Sequence, residues 1–247
     1  MKKKEKAIIA LYGPEDTGKT TTLRKLALEF LDSPEVEEDI QVGFLYYKEN
    51  EKKPTKIVVS TIKDPRANVA FYTGLMAQTL ILVTTTRIKD QTGEINVVVK
   101  LEKKEDADPG QEKIDDKLKL EIKELISSIA QEGTATLRQF LLRLLQSEVV
   151  EGDIQIAFRY KGKKIVVSTA GDTKKVVKES IDLFEVVDAD ILVTATRDTE
   201  TRAYGALRNY EKGIKAMAIW MPKSGCEATN ERQVETLRSF IDLLSNS

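Results

Sequence analysis

Histidine is absent from the 247-residue chain. Its absence removes the commonest general base, the usual partner of a nucleophilic serine or cysteine, and the commonest metal ligand. Cysteine occurs once, at Cys226. No internal disulfide can form, and a reducing, cytoplasmic setting is the expectation. The lone thiol lies in Lys223-Ser224-Gly225-Cys226-Glu227, a loop by composition, and with no histidine it reads as incidental rather than catalytic. An excess of one charge is also lacking. Basic residues number 39 and acidic residues 40, a net charge of −1, so no overall pull toward nucleic acid or an anionic membrane is expected. No apolar run approaches the roughly 20 residues that span a bilayer. Met1-Lys2-Lys3-Lys4 has the basic start of a signal peptide, but the apolar run behind it is only about six residues, too short for a leader. It reads as a buried strand with a charged lead-in. What remains, 41% hydrophobic and 32% charged, is the composition of a soluble globular chain of one large domain or two smaller ones.

The most informative stretch begins at that strand. Ala7-Ile8-Ile9-Ala10-Leu11-Tyr12 is followed by Gly13-Pro14-Glu15-Asp16-Thr17-Gly18-Lys19-Thr20, and then by Leu23, Leu26, Ala27, Phe30 and Leu31 at helical spacing. Gly13 and Gly18 permit backbone angles that let successive N–H groups turn inward around an anion. The helix start adds unpaired N–H donors and a partial positive charge. Strand, glycine-rich loop and helix together resemble the phosphate-binding loop of the P-loop NTPases, G-x-x-x-x-G-K-[ST]. The match covers about Ala7 to Leu31. The resemblance implies that Gly13, Pro14, Glu15, Asp16, Thr17, Gly18, Lys19, Thr20 and Thr21 surround nucleotide phosphates. It also implies that Lys19, expected to be exposed at the loop, serves catalysis by reaching the β- and γ-phosphates, and that Thr20 ligates Mg²⁺.

Further along, the sequence repeats. Residues 22–46 align without gaps on 136–160, at an offset of 114, with 13 of 25 positions identical, among them Asp39/Asp153, Gln41/Gln155, Phe44/Phe158 and Tyr46/Tyr160. Lys56 to Thr61 recurs unchanged as Lys164 to Thr169, and Ile81 to Arg87 recurs as Ile191 to Arg197 with only Thr85 changed, to Ala195. Ala216 to Met221 stands where Ile95 to Leu101 stood. A stripe at Val234, Leu237, Ile241 and Leu244 matches that at Leu118, Ile122, Leu125, Ile126 and Ile129. A helix is also expected over about 66–78 and another over about 201–211. The second copy carries Glu132, Gly133 and Thr134 in place of Gly18, Lys19 and Thr20, keeps the apolar face Leu137, Phe140, Leu141, Leu144 and Leu145, and lacks a first strand. The expected fold is a three-layer α/β protein, a P-loop NTPase-like sheet with helices on both faces, built from two related repeats. Residues 1–131 form the nucleotide-binding unit and 132–247 a degenerate repeat packed on it. Whether they share one sheet is left open. One nucleotide per chain is expected, bound by the first copy.

Tyr160-Lys161-Gly162-Lys163-Lys164 is a tight turn between antiparallel strands. A hairpin directly after the first helix is similar to the GTPase-like branch of the superfamily. No Asn-Lys-x-Asp follows to read guanine, so ATP is the expected nucleotide and another NTP the alternative. Ligands bind at the carboxyl ends of strands in such sheets. That rule assigns Asp64, in Ser60-Thr61-Ile62-Lys63-Asp64, as catalytic and metal-side carboxylate, with helix capping as the plainer alternative. Asp172 is its repeat partner. Glu15 and Asp16 read as solvated loop carboxylates. Arg87, Arg197 and Arg202 follow strand ends and are surface residues or charge stabilisers. Trp220 reads as core. The leading function is ATP binding with slow or partner-stimulated hydrolysis. A small-molecule or nucleotide kinase with Lys161 to Lys164 as a basic lid, and a non-enzymatic ATP-binding switch or scaffold, are the alternatives. The expected ligands are the nucleotide and Mg²⁺. A protein partner or self-association is left open, and neither nucleic acid nor membrane is indicated.

Overall fold

The computed structural model describes residues 5–37, 40–46, 55–60, 80–86, 96–102, 137–146, 150, 152–223 and 227–246. Within them the chain runs β1 (Ala7–Tyr12), α1 (Lys19–Asp32), β2 (Gln41–Tyr46), β3 (Thr55–Ser60), β4 (Leu80–Thr86), β5 (Asn96–Glu102), α2 (Leu137–Gln146), β6 (Ile154–Tyr160), β7 (Lys163–Ser168), α3 (Lys174–Val186), β8 (Ile191–Thr196), α4 (Arg202–Ile214), β9 (Met217–Pro222) and α5 (Glu227–Ser245). The helices expected near 66–78 and 118–129 lie outside the described residues, as do Asp64, Arg87, Glu132, Gly133, Thr134 and Cys226.

The described strands form one mixed sheet in the order β5-β4-β3-β2-β6-β7-β8-β1-β9. The open question of one sheet or two is thereby answered: the sheet is shared. Its middle seam is the antiparallel pair β2–β6. There Val42 pairs with Ile156, its own counterpart at the offset of 114, while Gln41 pairs with Ala157 and Gly43 with Gln155. The register is self-complementary at the 114-residue offset of the sequence repeat. On either side of it, β2–β3 and β6–β7 are antiparallel, and β3–β4 and β7–β8 are parallel.

Beyond that the halves differ. In the second copy β1 lies between β8 and β9, parallel to both. In the first copy β4 pairs directly with β5, antiparallel. The repeat boundary at 131/132 is thus a boundary in sequence. In space, the strand that leads into the glycine-rich loop fills the first-strand position that the second copy lacks.

Alternation explains why β1 suits a central place. Ala7, Ile9 and Leu11 enter the core built with α1, α2 and α5, and Ile8 and Ala10 enter the core built with α3 and α4. Helices therefore cover both faces. From α1, Leu23, Leu26, Ala27, Phe30 and Leu31 are all buried, as their spacing requires. The Phe30 ring packs 5.3 Å from Phe158 and edge-on to Tyr160 at 4.9 Å. Leu141, Leu144 and Leu145 of α2 join the same core, as do Val234, Leu237 and Ile241 of α5.

The hairpin turn is Lys161-Gly162, with φ of 49° and 76°. This is the two-residue turn whose twist suits antiparallel strands. Lys161 is not simply solvated: its Nζ lies 2.7 Å from Asp242 and 3.5 Å from Glu35, and the Tyr160 hydroxyl meets the same two carboxylates at 2.6 and 2.8 Å. Helix α3 is an addition to the elements expected from the sequence. Its signals are nonetheless local. Thr173 Oγ1 caps it by accepting from the Val176 N–H, and Val177, Ile181 and Phe184 recur along its buried face.

Candidate functional site

Three positive φ angles shape the loop after β1: 155° at Gly13, 56° at Asp16 and 81° at Gly18. At Gly13 a side chain is doubly excluded, because a Cβ there would also stand 2.6 Å from the Lys223 carbonyl oxygen. The chain leaving β9 thus packs directly behind the loop, and the Lys223 N–H donates to Tyr12 O at 2.8 Å. Asn230 of α5 completes that wall. Its Oδ1 lies 3.2 Å from the Thr22 hydroxyl and accepts from Lys223 Nζ. Gly18 is the N-cap of α1 and provides no side-chain cap, so the first-turn N–H groups remain available to an anion.

Lys19 differs from expectation. It is only 7% exposed, because the side chain folds back into its own loop. Nζ donates to Gly13 O at 2.8 Å and to Pro14 O, and lies 3.4 Å from Thr17 Oγ1. Burial lowers its pKa, and the Arg197 charge acts in the same direction, against Asp172, Asp198 and Glu15.

Two carboxylates come to the loop from the second copy. Asp153, just before β6, accepts from the Thr169 hydroxyl at 2.9 Å and lies near the Thr20 hydroxyl. Thr169, just past β7, is held by Ile154 in both directions: its N–H donates to Ile154 O at 3.0 Å and its Oγ1 accepts from the Ile154 N–H at 2.9 Å. Burial raises the Asp153 pKa, with Asp172 adding to it, and the two hydroxyls oppose. Asp172 is delivered by Gly171, which rests so closely on the end of β8 that a Cβ would stand 2.2 Å from Ala195 O. Arg197, just past β8, joins the loops. Its Nη2 lies 2.8 Å from Glu15 Oε1 and its Nε 2.9 Å from Asp172 Oδ1. Glu15 is therefore engaged by Arg197, which holds its carboxyl below the usual range.

Asp64 lies outside the described residues, but the strand leading to it is placed. Three reversals, β3–β2, β2–β6 and β6–β7, separate β3 from the parallel set β7, β8 and β1. The carboxyl end of β3 therefore faces the opposite edge of the sheet from the loop, five strand positions or about 24 Å away across it. At the loop itself stand its repeat partner Asp172 and the unassigned Asp153. The signal for Asp153 was the Asp39/Asp153 identity, which marks the repeat without revealing a role. Trp220 is half-buried on the α4 side, with its Nε1 donating to Glu211 at 3.1 Å and the Arg208 guanidinium 4.6 Å over its ring. Arg202 is exposed at the start of α4.

Comparison with protein-family models, curated proteins and solved structures finds no match to this chain. Among the described residues no helix is long and apolar enough to cross a membrane.

Proposed function

We propose that this protein binds a nucleoside triphosphate, ATP in preference to GTP, together with Mg²⁺ at Gly13 to Thr20, and hydrolyses it slowly or under a partner's stimulation. The observation that carries this reading is Lys19. Its ammonium is already inside the loop, beside an uncapped helix start, and its present partners are the carbonyls of Gly13 and Pro14. Phosphate oxygens are stronger acceptors for an ammonium than neutral carbonyls, so an entering phosphate would compete for Lys19.

The metal side fits a hard cation. Thr20 and Asp153 offer oxygen donors only, and Asp153 is a partly buried carboxylate that accepts from the Thr169 hydroxyl and is disfavoured as an anion by burial until a cation is bound. Mg²⁺ takes few protein ligands and completes its shell with phosphate oxygens and water. When bound, it neutralises charge on the phosphates. Slow turnover agrees with the protein groups at hand: no histidine exists to act as base, and Asp172 is tied to Arg197. The kinase reading loses its lid, because Lys161 sits at the far end of β6 from Asp153, paired with Asp242 and Glu35.

The test is calorimetric titration with a non-hydrolysable ATP analogue, with and without Mg²⁺. We expect saturation at one per chain and a clear Mg²⁺ requirement. The first copy has no comparable place for a loop strand, since β4 and β5 pair with each other. No binding, or two molecules per chain, would overturn the reading.

A further inference from the structure

We propose that Arg197 is the residue by which this site distinguishes a triphosphate from a diphosphate, and that Glu15 is a tethered competitor that holds the guanidinium when no third phosphate is present. The proposal rests on the nucleotide reading of the loop. Position comes first. β1 and β8 are paired to their last residues, Tyr12 with Thr196, so Gly13 and Arg197 leave the sheet side by side. Arg197 is close enough to Lys19 to depress its pKa. Lys19 inside the loop and Arg197 beside it thus stand at the same end of the sheet.

The second observation is an asymmetry in exposure. The Arg197 side chain is 18% exposed, whereas Glu15 is 67% and Asp172 57% exposed. The cation is recessed and its two anions lie on the solvent side, on different loops. An exposed carboxylate gains little from such a pair, because water screens it and its side chain must be held in one rotamer. A guanidinium donates to phosphate oxygens in the same forked geometry it offers a carboxylate. A phosphate already anchored by Lys19 and the helix start reaches Arg197 at high effective concentration, and Glu15 is then released to water. Nε keeps Asp172, so the exchange changes one partner and leaves the β7–α3 connection in place.

A purely structural tie between loops makes a different prediction from an exchangeable one. Affinities for the non-hydrolysable ATP analogue and for ADP, each with Mg²⁺, separate the two. In Arg197→Ala we expect triphosphate affinity to fall about tenfold or more, the loss of a charge-assisted hydrogen bond, with ADP affinity changed less than about threefold, the scale of an exposed ion pair. In Glu15→Gln, an exposed change that leaves Arg197 in place, the competitor is gone, and triphosphate affinity rises relative to ADP. Equal losses for both ligands in Arg197→Ala, or an unchanged ratio in Glu15→Gln, would overturn the proposal while leaving nucleotide binding intact. Failure of the wild-type protein to bind either ligand overturns the nucleotide reading and this proposal with it.

Discussion

Replacing Lys19 by alanine perturbs fold and ligand binding in ways that can be read separately. The substitution removes an ammonium that donates to Gly13 O at 2.8 Å and to Pro14 O. Each hydrogen bond from a charged group contributes about 1.5–3 kcal/mol. Opposing that is relief from burying the ammonium, the same burial that lowers its pKa. Two bonds against one desolvation leave a net loss of about 2 kcal/mol, chiefly because two loop carbonyls lose their donor. In a chain of 247 residues this lowers Tm by about 4–8 °C. The fold survives, because Lys19 belongs to neither apolar core. The ligand effect is distinct. At a hundred times Kd, Mg²⁺ and the ATP analogue stabilise the wild type by about 2.7 kcal/mol, or about 5–11 °C, and the variant by almost nothing. Scanning calorimetry with and without nucleotide reads both numbers. A variant with wild-type Tm in the absence of nucleotide would refute the buried ammonium, and one that kept the nucleotide-induced shift would refute the loop assignment.

Asp153→Asn should stabilise the ligand-free protein near pH 7, while weakening Mg²⁺-dependent nucleotide binding about tenfold. The sign follows from the raised pKa. A carboxyl whose folded pKa lies above its ordinary 3.8 costs stability once ionised, so the cost is absent at acid pH and grows as pH rises through the folded value. Melting wild type and variant from pH 4 to 8 should show the two diverging upward, and parallel curves would refute it. Gly171→Ala should cost about 2–3 kcal/mol, because its Cβ would meet the backbone of Ala195 at 2.2 and 2.4 Å, and a wild-type urea midpoint would contradict that packing. Gly162→Ala, with nothing within 4 Å of its Cβ, should cost only about 1 kcal/mol, for its left-handed turn.

Local patterns carried much of the fold. The run Ala7–Tyr12, the spacing of Leu23 to Leu31 and the Lys161-Gly162 turn each state their structure within a few residues, because strand alternation, helix period and turn backbone are short-range constraints. Helix α3 was equally local, with its Thr173 cap and its Val177, Ile181 and Phe184 face. What no local pattern could carry is which strands lie beside which. Sequence adjacency assigns the loop to the first copy, whereas β1 is buried between two strands of the second.

The seam explains why that matters for chemistry. An antiparallel pairing centred on Val42 and Ile156 turns one copy over relative to the other, so corresponding residues are sent to opposite edges of the sheet. Of each duplicated pair, only one member can stand at a given edge. Ser60 at the end of β3 and Ser168 at the end of β7 are such a pair. The rule that ligands lie at the carboxyl ends of strands therefore applies to the strands parallel to β1. It selects the loop after β7, which carries Asp172, and by the hairpin β6–β7 it brings Asp153 to the same edge. The single loop and the carboxylates around it come from opposite ends of the chain, and a site of this kind is complete only when the N-terminal strand is seated in the C-terminal half.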